Sequence, residues 1–152
     1  MPEPGNGPHP GFAFLACILA GLALEVLWPL PGTPWPWGFR LLAGAPPFLA
    51  SLGLGGWGIA TLWRAKTTVE PRQIPTRLVT AGPFRFSRNP LYISQLLFLV
   101  GLGLLGFPWL LPIAVPQAVL LHRLVIPHEE RLLAAHFGDA YSAYSGVVRR
   151  WL

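Results

Sequence analysis

Two adjacent carboxylates, Glu129 and Glu130, follow Pro127 directly after a long apolar run. Such a pair can accept hydrogen bonds from ribose hydroxyls or balance a cationic cofactor. Acids at this place also favour the first turn of a helix, where the backbone dipole is positive, and Pro127 suits a helix start. A second cluster, Arg88-Asn89-Pro90, heads another apolar run, with Tyr92 one turn inside. Asn89 can cap a helix that begins at Pro90. Arg88 can snorkel to phosphate headgroups, or the polar helix start can face a bound anion. Arg123, one turn before Pro127, offers either bidentate hydrogen bonds to an anionic substrate group or an interfacial anchor. Glu25 sits just before Trp28-Pro29. An intramembrane carboxylate is a functional candidate, although its place near the end of its run favours contact with water. Spacing alone leaves each of these residues open between chemistry and architecture. No metal site is expected: His122, His128 and His136 have no ligand spacing around them, and Cys17 is a lone apolar-run cysteine.

The elements that must position these groups are membrane helices. Of the 152 residues, 53% are hydrophobic and 11% charged. That is about half the charge of a soluble domain, which makes lipid the expected solvent. The 18 prolines and 17 glycines are interspersed with Leu, Trp and Phe, so the composition is not that of a disordered chain. Residues 1–10 read as a disordered tail. No Lys or Arg precedes the first apolar run, and no small-residue cleavage site follows it, so that run is expected to be retained. Three charge-poor runs follow: Phe12 to Leu30, Leu41 to Trp63 and Leu91 to Leu121. The first two suit one span each, at about 20 residues per span. The third is too long for one, and Gly106-Phe107-Pro108 marks a turn. It predicts a hairpin of two short helices, Pro90 to Leu105 and Trp109 to about Ile126. Pro112 and Pro116 are expected to kink the latter, and Pro46-Pro47 either to kink the second helix or to start it. The fold class is therefore all-α, with four transmembrane helices. Residues 11–66 hold two of them; 67–152 form the half with the chemistry.

All eleven Lys and Arg residues except Arg40 fall in two segments, 64–88 and 123–150. The hairpin puts both segments on one side, which the positive-inside rule makes cytoplasmic. The net charge of +5 then reflects topology and contact with anionic headgroups; no nucleic-acid-binding motif accompanies it. From His128 onward, Leu133, Phe137, Tyr141, Tyr144, Val148 and Trp151 recur at helical spacing. They predict an amphipathic helix, broken where Gly138 ends one piece and Asp139 caps the next.

Two segments around the hairpin carry a family likeness. LVTAGPFRFSRNPLY (Leu78 to Tyr92) and VIPHEERLLAAHFGDAYSAY (Val125 to Tyr144) resemble the isoprenylcysteine carboxyl methyltransferases and their relatives, the phospholipid methyltransferases. The shared pattern is G-x-[YF]-x-x-x-R-[HN]-P-x-Y, a membrane hairpin, an arginine, paired glutamates and F-G-x-x-Y-x-x-Y. It spans Thr67 to Leu152. The resemblance implies an S-adenosylmethionine site at the cytoplasmic face. Leu78, Val79 and Phe84 resemble loop positions that wall the cofactor. Asn89, Pro90, Leu91 and Tyr92 resemble the helix start that touches it. Glu129 resembles the carboxylate that binds it, with Glu130 beside it, and Arg123 the arginine near the substrate. Asn89 stands where eukaryotic members carry His, Ser94 where many carry Gly, and Phe84 where Tyr is usual. These departures leave the donor site intact but, with the small size, point to a bacterial-type member rather than an enzyme of prenylated proteins.

The implied reaction is an in-line methyl transfer to a lipophilic acceptor. A carboxylate acceptor needs no base. A protonated amine must first lose a proton, and Glu130 is then the expected catalytic acceptor. Two alternatives stay open: a membrane reductase of the sterol or steroid type using NADPH, and a non-enzymatic membrane subunit.

Overall fold

The computed structural model describes residues 9–30, 35–67 and 75–152. Most of the expected N-terminal tail, residues 1–8, lies outside the described residues, as does loop stretch 68–74 with Arg72. Among the described residues all regular structure is helical: α1 (Pro10–Leu27), α2 (Trp37–Arg64), a 3-10 turn (Gly82–Arg85), α3 (Pro90–Leu105), α4 (Leu110–Leu120), a π-helical turn (Leu121–Val125), α5 (Ile126–Phe137) and α6 (Asp139–Val147).

Proline and glycine set most of the ends. Pro10 and Pro90 stand in the first turns of α1 and α3, where a missing N–H costs nothing. Gly106 ends α3, and Gly138, at φ +51°, ends α5. Gly138 also takes the cap position of α6, so Asp139 is the first residue of that helix and not its cap. Its charge still meets the positive helix end. Pro46 and Pro47 lie well inside α2, which already begins at Trp37, so they do not start it. Pro112 falls in the first turn of α4, where no donor is needed, and Pro116 alone is interior there. The expected stop near Ile126 does not occur: α4, the π turn and α5 form one rod, Leu110–Phe137. A proline at 127 lacks an N–H, and its ring would meet the carbonyl of Arg123, four residues back. The wider π turn immediately ahead of it gives the backbone room to continue.

The helices pack antiparallel to their neighbours. Along α1 and α4, Glu25 meets Trp109, Gly21 meets Leu110 and Ile113, and Cys17 meets Gln117. Gln117, 1% exposed, accepts from the Cys17 thiol at 3.4 Å and donates to Gln95 at 3.2 Å, so a polar link joins α1, α4 and α3. Glu25 is not released to water as expected. Its Oε1 accepts the Trp109 backbone N–H at 2.9 Å, and the Trp109 indole donates to the Trp28 carbonyl at 2.8 Å. These bonds fasten the end of α1 to the α3–α4 turn.

The most extensive contact is between α2 and α3. Gly44, Ser51, Gly55 and Gly58 lie along one face of α2, and small residues let helix backbones approach closely. A Cβ on Gly101 of α3 would stand 2.6 Å from the Phe48 nitrogen, and one on Gly44 would stand 2.8 Å from the Leu105 nitrogen. The obstructing atoms are backbone and cannot rotate away. Gly101→Ala is therefore expected to destabilise the protein by about 1–3 kcal/mol. Gly53→Ala, at a glycine with open space around it, should be neutral or slightly stabilising. Thermal unfolding of both variants in detergent checks this; equal midpoints would refute the close approach.

Two helical stretches, α1 and the rod Leu110–Phe137, are long and apolar enough to cross a membrane. α3 is apolar but has 16 residues, and glycine and proline dilute the apolar character of α2. Phe12, Leu19, Val26, Leu42 and Leu49 face outward from α1 and α2.

Candidate functional site

Where α2 ends and α3 begins, the bundle forms an open cavity of about 480 Å³. Leu78, Val79 and Phe84 line it from the loop and the 3-10 turn. Asn89, Pro90, Leu91 and Tyr92 line it from the head of α3, and Glu129 and Glu130 from α5. Gly55, Ile59 and Leu62 of α2 give it apolar lining, and Tyr141 and Tyr144 of α6 also line it. His9, at the head of α1, also reaches it, so the head of α1 and the C-terminal helix α6 come to one end of the bundle. Of the ten residues expected at a site, nine meet here. Arg123 does not: it is exposed and lines a separate hollow.

Local structure explains how the walls stay in place. Gly82 opens the 3-10 turn at φ +61°, and a Cβ there would stand 2.6 Å from Thr61 Oγ1. The Tyr144 hydroxyl donates to the Phe84 carbonyl at 2.6 Å and so docks α6 on that turn. Burial pushes its phenol up to about 12, so it keeps its donor proton at neutral pH. Asn89 precedes Pro90 as expected but does not cap α3 with its side chain. Its amide donates to the Arg150 carbonyl at 2.9 Å, while its backbone N–H donates to Ser87 Oγ at 3.1 Å. The Arg88 N–H adds a bond to the Arg149 carbonyl at 3.0 Å. The C-terminal tail is thus tied across the head of α3.

The two adjacent carboxylates have different surroundings. Glu129 accepts the hydroxyl proton of the buried Tyr92 on Oε1. Glu130 is held on both oxygens, by Arg88 Nη1 at 3.0 Å and by Arg150 Nε at 3.2 Å and Nη2 at 2.5 Å. Arg88 therefore turns inward to Glu130 and Tyr141 and does not snorkel outward. Sequence reasoning missed Arg77, Thr67, Tyr141, Tyr144 and Arg150 as participants. The two tyrosines were legible in an apolar stripe and in the family pattern, with no role attached to either. Thr67 carried no signal at all, yet it is 7% exposed, lines the cavity, and its hydroxyl has no hydrogen-bond partner. Arg88 Nε is also buried and unpartnered. Buried polar atoms are rarely left unsatisfied, so both atoms are suited to hydrogen-bond a polar ligand. Among the described residues no cluster of three His, Cys, Asp or Glu side chains could hold a metal ion.

The profile of the phospholipid methyltransferase family matches residues 39–140 of the chain. A 97-residue stretch, 61% of the chain, is 37% identical to the cobalt-zinc-cadmium resistance protein CzcN of Cupriavidus metallidurans, and covers 44% of that protein. The chain thus spans less than half the length of the curated relative it matches. No solved structure matches it.

Proposed function

Because the chain belongs to the phospholipid methyltransferase family, we propose that it is an integral membrane methyltransferase that uses S-adenosylmethionine to methylate a lipophilic acceptor. The acceptor is a lipid amine, an isoprenylcysteine-type carboxylate or a related small molecule. The observation that carries this reading is the convergence on one cavity of three segments distant in sequence, 78–84, 89–92 and 129–130. α1 to α4 are read as four spans, with residues 11–66 holding two of them and 67–152 the cofactor half. The basic end, with the cavity and both termini, faces the cytoplasm, in a bacterial inner membrane. The proposed partners are membrane lipids and the lipophilic acceptor, and not nucleic acid.

The cavity fits the cofactor. Its volume lies in the range of small-molecule sites, its walls offer apolar surface for a base, and its polar groups suit an amino acid and a ribose. S-adenosylmethionine supplies, when bound, a methyl group already activated on a sulfonium, so the protein's tasks are holding, aligning and excluding water. Glu129 keeps Oε2 free of Tyr92 and can accept from ribose hydroxyls or an ammonium group. Leu78, Val79 and Phe84 would hold the base, and Asn89, Pro90, Leu91 and Tyr92 line the cavity at the head of α3. Arg77, which also lines the cavity, supplies positive charge for a carboxylate. Glu130, engaged by two arginines, acts by anchoring the C-terminal tail to α5 rather than by taking a proton. The apolar wall of α2 beside Leu91 and Ser94 of α3 gives a lipophilic acceptor a surface to follow from the bilayer.

Thermal unfolding in detergent tests the reading. S-adenosylhomocysteine at about 100-fold over its dissociation constant should raise the midpoint by about 5–10 °C. A response to NADPH with none to S-adenosylhomocysteine would instead favour a reductase. Silence to both in folded protein would leave a structural subunit. Radiolabelled methyl transfer to lipid extracts and prenylcysteine analogues then identifies the acceptor.

A further inference from the structure

A second hollow, of about 400 Å³, is lined by Leu96, Ala118, Val119, His122, Arg123 and Trp151. It shares no lining residue with the cavity of Glu129. Its groups are sorted by depth. Ala118 and Val119 precede His122 and Arg123 by four residues, about 6 Å of helix rise. The rod runs toward the basic end, so the two apolar residues lie farther from that end, with Val119 facing outward at 54% exposure, and the two polar ones lie at the rim. Leu96, on the second turn of α3, reaches the same apolar depth.

Trp151 closes the rim from the C-terminal tail. Its indole donates to His122 Nδ1 at 3.2 Å, and the two rings stack 6.3 Å apart at 21°. A neutral imidazole that accepts at Nδ1 carries its proton on Nε2, so His122 has an N–H left to offer. Arg123 is exposed, and no acidic side chain pairs with it among the described residues.

We propose that this hollow binds one anionic phospholipid, with its phosphate against Arg123 and the His122 N–H and the upper part of an acyl chain over Leu96, Ala118 and Val119. Basic pockets between helices at a cytoplasmic face have this chemistry. A free anion would use only the rim, and a zwitterionic lipid would bring a cation toward Arg123. The assignment takes only the membrane reading from the proposed function and does not need methyl transfer. It also gives the lipid a consequence. Trp151 packs on the cluster of Tyr92, Leu121, Val125 and Ile126, and its neighbour Arg150 holds Glu130. A lipid seated on Trp151 therefore braces the tail whose Arg150 holds Glu130 at the edge of the cofactor cavity.

The full chain in detergent is titrated with dioleoylphosphatidylglycerol, dioleoylphosphatidylcholine and glycerol 3-phosphate while the unfolding midpoint is followed. A saturable rise is expected with phosphatidylglycerol alone. Arg123→Gln should weaken its apparent affinity about fivefold. Val119→Trp, which fills the apolar floor and keeps the arginine, should abolish the rise. Arg123→Gln changes an exposed side chain and decides the matter even if Val119→Trp does not fold. An equal response to phosphatidylcholine, the same response to glycerol 3-phosphate, or an unchanged phosphatidylglycerol titration in Arg123→Gln would each overturn the assignment. The S-adenosylhomocysteine shift, measured on the same samples, reports the other cavity, so failure of one reading is distinguishable from failure of the other.

Discussion

Glu129→Ala is expected to weaken S-adenosylhomocysteine binding roughly 10- to 100-fold, the range for losing a hydrogen bond to a charged group. The paired acids differ in what they have left to give. Glu130 is fully engaged by Arg88 and Arg150, whereas Glu129 shares one oxygen with Tyr92 and lines the cavity. Glu129→Gln keeps an acceptor for Tyr92 and loses the charge, so its binding should fall between wild type and alanine. Tyr92→Phe leaves the carboxylate but removes the donor that orients it, and should cost less than Glu129→Ala. Titrating the thermal shift against ligand concentration gives the three affinities. Wild-type affinity in Glu129→Ala would remove Glu129 from the cofactor site and with it the assignment of the cavity.

Glu130→Ala is expected to act on the fold, by about 3 kcal/mol. Removing one partner of a largely desolvated ion pair strands the other charge, and the Arg88 side chain is only 16% exposed. Arg150→Ala removes the more exposed partner, 33% exposed, and leaves Glu130 paired with Arg88. It should cost about 1 kcal/mol or less. The order Glu130→Ala well above Arg150→Ala separates a clamp centred on Glu130 from a general loss of surface charge. Denaturant unfolding in mixed micelles measures both. If Glu130→Ala were as stable as wild type, the pairing would hold nothing. Methyl transfer in Glu130→Gln adds a second readout: a positioning role predicts a raised KM for cofactor with kcat largely kept, whereas a proton acceptor would lose kcat.

Much of the helical framework was legible in the residues because its determinants are local. Pro90 at a first turn, Gly106 before Pro108, and Gly138 between two amphipathic pieces each dictate backbone conformation within a few residues. The segregation of basic residues is equally local to read. Legibility failed where a local rule met a neighbouring element. Pro127 should end a helix, but the π turn before it let the rod continue to Phe137. Asn89 should cap α3, but the Arg150 carbonyl, 61 residues away, captured its amide.

By itself the sequence determined that the chain is apolar and helical, that its charge gathers at one end, and which family pattern it carries. The tertiary structure decided what each polar side chain faces. Glu129 and Glu130 are neighbours in sequence, yet successive helical residues point about 100° apart, so one meets Tyr92 and the other meets two arginines. Arg88 and Arg123 both sit near the basic end, yet one turns in to the cavity and the other opens onto a separate hollow. Thr67 and Tyr141 line the site from segments far apart in the chain, and Arg150 bears on it through Glu130. Their convergence depends on how α2, the hairpin and the tail pack, and no spacing along the chain records it.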